Sequence, residues 1–421
     1  EIAEAMKSEL TTDEKARIND KLTENTVAYE YYLKGNMYDN AGHIESNIRA
    51  AIAEYERAVS LDPNFAEAHA QLGKMHAHLK WYRHDLSSTR MEKSKRSIDK
   101  AMDLKPNNAI VRMARGMYYY HGFRDYGRAL SDFIEARELS PSNSNGYFYA
   151  AMIYRRLGDF DKSIEANEKA VEMDPRSTLI VQNLAQTYNA VRKYEKAWPS
   201  IDLILSINPN EEALLWVKSI ILYNQAKIKN SRQVIEGSDA LYNKLNFDYL
   251  VRDYNSIEKR LLNNTKDSFA NIWAYFPKEY YLGVVSQSKN DNDRAKVFFK
   301  SSILHLQSKI DVYPNDPRFY SSLGLIYAKL GDYNNAIDYG LKAIEVLPTS
   351  RDALFGPIYE KNLAEIYALS GQKNEALDKI EYLINIPNGF HYGELLINPA
   401  FDLIRDMPRF QSVLNKLKPN V

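Results

Sequence analysis

Hydrophobic positions along this chain recur with the period of a helix. In segments such as YFYAAMIYR, VQNLAQTYN and YSSLGLIYA, apolar and aromatic residues fall at i, i+3, i+4 and i+7, which is one face of a helix. The chain has only 17 Gly and 15 Pro among 421 residues, so few residues interrupt these segments. The pattern therefore predicts an all-α protein built from amphipathic helices.

One pattern occurs twice, as LGDFDKSIEANEKAVEMDP at 157–175 and LGDYNNAIDYGLKAIEVLP at 330–348. Each copy starts with Leu-Gly-Asp and an aromatic residue, and each has an alanine five residues before its final proline. When such prolines are aligned, Pro141, Pro175 and Pro209 follow one another at steps of 34 residues. A recurrence at this period indicates an array of repeated helix pairs, in which the proline ends the second helix.

This pattern resembles the tetratricopeptide repeat, whose motif places aromatic residues, small residues and a final proline at fixed positions. The repeat that starts at Ser144 matches it with Tyr147, Ala150, Ala151, Tyr154, Ser163, Asn167, Ala170 and Pro175. The repeat that starts at Pro317 matches it with Tyr320, Leu323, Gly324, Tyr327, Ala336, Gly340, Ala343 and Pro348. Asn167 and Gly340 stand where an aromatic residue is usual. The resemblance implies a right-handed superhelical solenoid of antiparallel helix pairs.

The same pattern divides the chain into five parts. Residues 1–27 are predicted to be an N-terminal helical linker, and residues 28–209 to hold five tetratricopeptide units. In residues 210–278 the pattern blurs, which indicates a degenerate helical region or a bend. Further units follow in residues 279–387, and residues 388–421 are predicted to cap the C-terminal end.

Composition narrows the possible functions. The 55 basic and 55 acidic residues give a net charge of zero, so no broad attraction to nucleic acid is expected. The chain has no Cys, which excludes disulfides, thiolate zinc sites and Cys nucleophiles. No apolar run reaches the length of about 18 residues that a membrane-spanning helix needs, so no membrane span is predicted.

Motifs for catalysis or cofactor binding are absent from the sequence. Neither GxGxxG nor GxxxxGKS/T occurs, and neither GxSxG nor HExxH is present. His69, His76, His78 and His84 cluster, but the first two fall on packing positions of the repeat, where large rings are needed. His121 is expected to be a surface ring. We therefore predict no catalytic residue, no metal site and no cofactor.

The resemblance also implies a binding surface, because the first helices of such repeats line the concave face of the superhelix. The residues placed there by the motif, with one neighbour, are Met113, Met117, Tyr120, Phe148, Met152, Arg155, Gln182, Asn183, Gln186 and Asn189. Methionine and aromatic side chains suit an apolar peptide or helix, and amides suit an extended backbone. Phe148 and Met152 stand where a carboxylate clamp needs Lys and Asn, so binding of chaperone tails is not expected.

Three stretches resemble one group of bacterial signalling proteins, namely LTENTVAYEYYLKG, LPTSRDALFGPIYEKNLAEIYALSG and INPAFDLIRDMPRF. In that group, an N-terminal adenylate/guanylate cyclase, Ser/Thr kinase or winged-helix effector precedes a tetratricopeptide array. The resemblance implies a non-enzymatic regulatory chain, without its effector, that binds a protein or peptide segment. It leaves open the cytoplasm, or the periplasm if a membrane anchor precedes the chain. Two alternatives also stay open: a self-association scaffold that forms a homodimer, and a small-molecule sensor in residues 210–278.

Overall fold

The computed structural model describes residues 21–238 and 240–419. Within these residues the protein has 22 helices, two short 3₁₀ turns and one two-stranded sheet, so the prediction of an all-α repeat fold is confirmed. The chain forms two compact units, of which the first ends at Ala150 and the second begins at Ala151. Most of the predicted N-terminal linker, residues 1–20, lies outside the described residues.

The first unit consists of helices that pack as antiparallel pairs. They are α1 (Thr26–Asn40), α2 (Glu45–Leu61), α3 (Ala66–Trp81), α4 (Ser88–Leu104), α5 (Ala109–Phe123) and α6 (Tyr126–Leu139), followed by α7 (Ser144–Leu157), which contains the boundary. Helix α1 packs on α2, α3 on α4, and α5 on α6, while α3 also contacts α5. The first helices of these two successive pairs, α3 and α5, therefore lie next to each other.

The second unit has the same kind of pairing. Its further helices are α8 (Phe160–Met173), α9 (Thr178–Ala190), α10 (Trp198–Ile207), α11 (Glu212–Asn224), α12 (Ile228–Glu236), α13 (Leu241–Leu250), α14 (Tyr254–Leu262), α15 (Lys278–Ser288), α16 (Asn292–Val312), α17 (Pro317–Leu330), α18 (Tyr333–Val346), α19 (Gly356–Leu369), α20 (Lys373–Leu383), α21 (Tyr392–Ile397) and α22 (Pro408–Leu417). Strands β1 (Ser268–Ala270) and β2 (Tyr275–Pro277) lie between α14 and α15, and the 3₁₀ turns are Tyr194–Lys196 and Pro399–Phe401. Helix α9 contacts α11, and α17 contacts α19, so first helices again lie side by side.

The recurring Leu-Gly-Asp phrase is the turn between the two helices of a repeat. Gly158 and Gly331 have φ values of 87° and 80°, a left-handed conformation that glycine adopts without steric cost. The aspartate that follows is the N-cap of the second helix, because its carboxylate accepts the backbone N–H three residues later. The aspartates with this role are Asp125, Asp159, Asp253, Asp291 and Asp332.

Small residues allow the two helices of a repeat to approach closely. At Gly116 in α5, an added Cβ atom would lie 2.4 Å from the ring of Phe133 in α6, which is closer than van der Waals contact permits. The ring of Phe133 therefore fills the space above the glycine, and both residues belong to the interior of the first unit. This contact is the physical reason for a small residue at that position of the motif.

A β-hairpin interrupts the helices in the stretch where the sequence pattern blurs. Phe269 pairs with Phe276 across the two antiparallel strands, and the Asn271 side chain accepts two backbone N–H groups in the turn. The Phe276 ring stacks on Tyr280 of α15 at a centroid distance of 4.5 Å. The sequence analysis predicted only helices or a bend here. The strands place the cross-strand pair Phe269 and Phe276 in the core of the second unit, and such a pair stabilises a hairpin.

Candidate protein-binding surface

The ten residues predicted to line a peptide groove are divided between the two units. Met113, Met117, Tyr120 and Phe148 belong to the first unit, and all four are buried. Tyr120 packs against Trp81 at a centroid distance of 4.8 Å. In the first unit the predicted groove residues therefore contribute to the packed interior.

In the second unit, two of the six predicted groove residues are buried. Arg155 of α7 donates from Nη1 to the backbone oxygen of Asn183 at 3.3 Å, to Thr187 Oγ1 at 3.3 Å and to Gln186 Oε1 at 3.4 Å. Thr187 Oγ1 donates to the Asn183 carbonyl at 2.8 Å. These bonds join α7 to α9 through a buried polar network, so Arg155 and Asn183 fix the position of the two helices relative to each other.

The remaining four residues are partly exposed and lie on two helices that the Arg155 network joins. Gln182, Gln186 and Asn189 are spaced at i, i+4 and i+7 along α9, which is one face of that helix. Met152 lies on α7, one turn before Arg155, whose guanidinium reaches Gln186. We call Met152, Gln182, Gln186 and Asn189 the α7–α9 surface.

The α7–α9 surface is supported from the next repeat. Asn224, the last residue of α11, donates from Nδ2 to Asn189 Oδ1 at 2.9 Å and is itself buried. Because Asn189 has this buried partner, one end of the surface is fixed. Gln182 is partly exposed, and its amide offers both donors and an acceptor to a ligand.

Arginines at the C-terminal ends of first helices bind the later part of the second unit. Arg192, just after α9, donates to the carbonyls of Ile386 and Phe390, the latter at 2.8 Å. Arg252, just after α13, donates to the Asp402 carboxylate at 2.6 Å. Sequence reasoning did not find these contacts, because the partners lie about 150 to 200 residues further along the chain.

A third arginine of this kind is fully enclosed. Arg156 in α7 forms an ion pair with Asp352 at 3.2 Å, and its guanidinium lies 3.7 Å from the centre of the Phe355 ring. The neighbouring backbone N–H of Ala353 donates to the Arg156 carbonyl at 2.9 Å. The stretch LPTSRDALFGPIYEK, part of one of the three stretches that resemble bacterial signalling proteins, therefore packs against α7 inside the second unit.

Two predictions concerned histidines. His69 Nε2 is 3.1 Å from the Pro63 carbonyl oxygen, and His76 Nδ1 is 3.2 Å from Arg90 Nη1, so each ring has its own partner. The expectation that His121 is a surface ring is wrong. His121 is only 5% exposed, since it stacks on Trp81 of α3 with centroids 4.5 Å apart.

A cavity of about 230 Å³ opens beside the stretch where a small-molecule sensor was considered. It is lined by Tyr249, Tyr254, Val284, Gln287, Ser288, Lys329, Leu369 and Pro399, all in the second unit. Pockets that bind drug-sized ligands usually measure about 300–1,000 Å³. The cavity therefore offers less room than a typical cofactor or metabolite site.

Comparison with known proteins identifies the repeat in three segments. Residues 43–79 match the family model described as "TPR repeat", and residues 122–178 and 317–349 match models described as "Tetratricopeptide repeat". These three segments are tetratricopeptide repeats. Proteins built from tetratricopeptide repeats generally mediate protein–protein interactions and are generally non-enzymatic scaffolds.

Similar proteins share modest identity with this chain. A TPR repeat-containing protein of Methanocaldococcus jannaschii is 22% identical over 325 residues, covering 63% of this chain and 56% of that protein. Anaphase-promoting complex subunit 3 of Schizosaccharomyces pombe is 28% identical over 174 residues, covering 41% of this chain and 24% of the subunit. The solved structure of pilF from Pseudomonas aeruginosa is 18% identical, with coverages of 56% and 97% and a TM-score of 0.38.

The match spans about half of the archaeal protein and a quarter of the yeast subunit. Across the described residues, no helix combines the length and the apolar character required to cross a bilayer.

Proposed function

We propose that this chain is a protein-binding module and that a peptide or protein segment docks on the α7–α9 surface. The observation that carries the proposal is the single partly exposed face of α9, with Gln182, Gln186 and Asn189 aligned on it and Met152 beside it. The amides match the hydrogen-bonding groups of an extended backbone, and the thioether of Met152 matches an apolar side chain.

Two features make this surface suitable for binding. The network around Arg155 and the bond from Asn224 to Asn189 hold the two helices before a ligand arrives, which lowers the entropic cost of association. The repeats matched at 122–178 include α7, and the relatives support a role in assembly, since the yeast protein is by name a subunit of a complex.

The test is a selection of peptide ligands against the full chain, followed by affinity measurements on variants. Met152→Ala, Gln182→Ala and Gln186→Ala combined should weaken the selected peptides by about tenfold or more, because a few central contacts carry most of an interface's affinity. Asn189 is left intact because its partner Asn224 is buried. Binding is measured by fluorescence anisotropy with labelled peptides.

A matched control changes the opposite side of the same repeat. Lys169 and Glu172 are exposed on α8, and Lys169→Ala with Glu172→Ala should leave the peptide affinities unchanged. Peptides that bind the triple variant as tightly as the wild-type chain would remove the assignment to the α7–α9 surface. A selection that yields no ligand above background would contradict the protein-binding function.

The wider role proposed is regulatory. The three stretches that resemble bacterial signalling proteins support a chain that passes on the occupancy of its binding surface to an effector domain, a cyclase, a kinase or a winged-helix domain, in the same protein. Co-expression of the chain with such a domain, and effector activity measured with and without a selected peptide, tests this role. Sedimentation velocity measured over a range of concentrations tests the alternative of a homodimeric scaffold.

A further inference from the structure

The first unit contains a compact group of metal-ligating side chains that the protein-binding function does not use. Asp39 lies near the end of α1, His43 in the loop before α2, and His78 in α3. One ligand atom from each of the three lies within 4.8 Å of the other two. We propose that Asp39, His43 and His78 form a binding site for a divalent transition-metal ion such as Zn²⁺.

The orientation of His43 favours coordination. Its Nε2 atom faces Asp39, with 3.9 Å between Nε2 and Oδ1. Its other ring nitrogen, Nδ1, lies 3.1 Å from the Tyr82 hydroxyl, and the two rings stack at a centroid distance of 4.8 Å. A hydrogen bond at Nδ1 fixes the ring and leaves Nε2 as the ligand, which is the arrangement found around metal-bound histidines.

Binding requires the three ligand atoms, which lie within 4.8 Å of one another, to move closer together. Two ligands of a tetrahedral Zn²⁺ ion with bonds of about 2.0–2.1 Å lie about 3.3 Å apart. The separation of Asp39 and His43 exceeds this by well under 1 Å, and His43 stands in a short loop that can move. Two imidazoles and one carboxylate suit Zn²⁺ and its neighbours in the first transition row, and they leave coordination positions for water.

The electrostatics of the group agree with this geometry. Burial disfavours the charged form of both imidazoles, so the pKa of His43 is lowered and that of His78 lies well below its ordinary value. Burial by itself raises the pKa of Asp39, but neighbouring groups, Lys74 first among them, lower it by more. The net pKa therefore lies below its ordinary value. His43 remains 27% exposed at its side chain, which gives an ion access from solvent.

Lys74 is the natural competitor for the same carboxylate. Its Nζ atom donates to Asp39 Oδ2 at 2.7 Å, while Oδ1 is the oxygen that faces His43. The ammonium and a metal ion would share one carboxylate, and their repulsion would weaken metal binding. Removal of the Lys74 charge should therefore strengthen metal binding. Zn²⁺ bound by unrelated surface histidines would not show this increase in affinity.

The experiment measures Zn²⁺ binding to the chelator-treated full chain near neutral pH, in competition with a chromogenic chelator. The wild-type chain should bind one Zn²⁺ ion. His43→Gln should weaken binding by about 100-fold or more, and Tyr82→Phe by about tenfold, because losing even an outer partner costs about 10–100-fold in affinity. Lys74→Gln should bind about tenfold more tightly or better.

His69→Gln serves as the control, because His69 lies on the same helix as His78 but outside the group. It should bind Zn²⁺ as the wild-type chain does. Circular dichroism checks that each variant is folded, and the partly exposed His43 makes His43→Gln the decisive variant. A wild-type chain that binds no Zn²⁺, or that binds it as tightly after His43→Gln, would overturn the proposal.

Discussion

Two repeats of the second unit share one sequence motif but differ in the side chains that fill the space between their helices. In both, the usual aromatic residue of the second helix is missing, and Asn167 stands there in α8 while Gly340 stands there in α18. At Asn167 the space is filled by polar groups, since its Nδ2 donates to Asn183 Oδ1 at 3.1 Å and lies near Ser163 and Thr187.

At Gly340 the space is filled by apolar groups from the following repeat. A Cβ atom at Gly340 would lie 2.9 Å from the terminal carbons of both Ile366 and Leu363 in α19. The same Ile366 carbon would be 2.7 Å from a Cβ at Gly324 in α17. Ile366 therefore covers a pair of glycines. The contrast shows that residues of a neighbouring helix determine whether this space is filled by polar or apolar groups, although the two repeats share the same sequence motif.

The largest expected effect comes from removing the apolar filler. Ile366→Ala should lower the free energy of unfolding by about 3–4 kcal/mol, because the side chain is fully buried and two glycines cannot close the cavity. Urea denaturation followed by circular dichroism measures the loss. Leu341→Ala, at a side chain 47% exposed on α18, is the control and should change stability by under about 0.5 kcal/mol. Equal losses in the two variants would show that Ile366 does not fill this space.

The second prediction concerns the pH dependence of stability caused by Glu365, the residue before Ile366 in α19. Burial raises the pKa of Glu365, beside Ile366, to about 7, against the lowering effect of its hydrogen bond from Asn398. The folded state thus holds the proton more tightly than the unfolded chain, so this stabilisation is present below about pH 4.5 and is lost as pH rises through about 7. We expect about 2 kcal/mol less stability at high pH, part of the shift being screened by solvent.

Glu365→Gln is the matched variant, because glutamine keeps an oxygen for Asn398 and cannot ionise. Stability is measured by urea denaturation at a series of pH values. The loss of stability that Glu365 causes as pH rises should be absent in the variant. A wild-type profile that runs parallel to that of Glu365→Gln between about pH 5 and 8 would contradict the raised pKa.

The close approach at Gly324 should show as a cost of overpacking. Gly324→Ala would place a Cβ atom 2.9 Å from the Ala336 carbonyl oxygen and 3.1 Å from the Gly340 nitrogen, both backbone atoms that cannot turn away. We expect a net loss of about 1–2 kcal/mol after the helix-propensity gain of about 1 kcal/mol. Gly127→Ala in α6, where the nearest atom is 3.9 Å away, should show no loss in the same thermal or urea measurement. A loss as large at Gly127, where there is room for a Cβ atom, would contradict the assignment of the Gly324 loss to overpacking.

A loss as small as that at Gly324 is expected in the polar region. Asn167→Ala should cost about 1–2 kcal/mol, because it leaves the buried Asn183 Oδ1 without this donor while opening little space. Lys169→Ala, two residues further on and on the exposed side of α8, is the comparison and should be close to neutral. A loss at Asn167 that matches that of Ile366→Ala would remove the distinction between the two regions.

The sequence predicted the helices and their turns well, because these depend on short-range groups. The aspartate of Leu-Gly-Asp caps the helix that follows it, as at Asp159 and Asp332, and the backbone N–H that its carboxylate accepts lies three residues away. The alignment also marked Asn167 and Gly340 as departures from the motif. It could not name what replaced the missing ring, since Asn183 and Ile366 belong to other helices.

The candidate surfaces were predicted less completely. The motif assigned ten residues to a groove, and it could not separate the buried Phe148 and Arg155 from the partly exposed Gln182. Burial at those positions depends on the angle at which neighbouring helices pack. His121 was expected at the surface, whereas Trp81 of another helix covers it.

By itself, the sequence determined the helical period, the capped turns and the repeated pairing, because each follows from groups within a few residues of one another. Only the tertiary structure decided which repeat interiors are polar or apolar, which arginines bind distant carbonyls, and that Asp39, His43 and His78 meet. The physical reason is that burial and ion pairing depend on atoms close in space, and the order of residues along the chain does not record those distances.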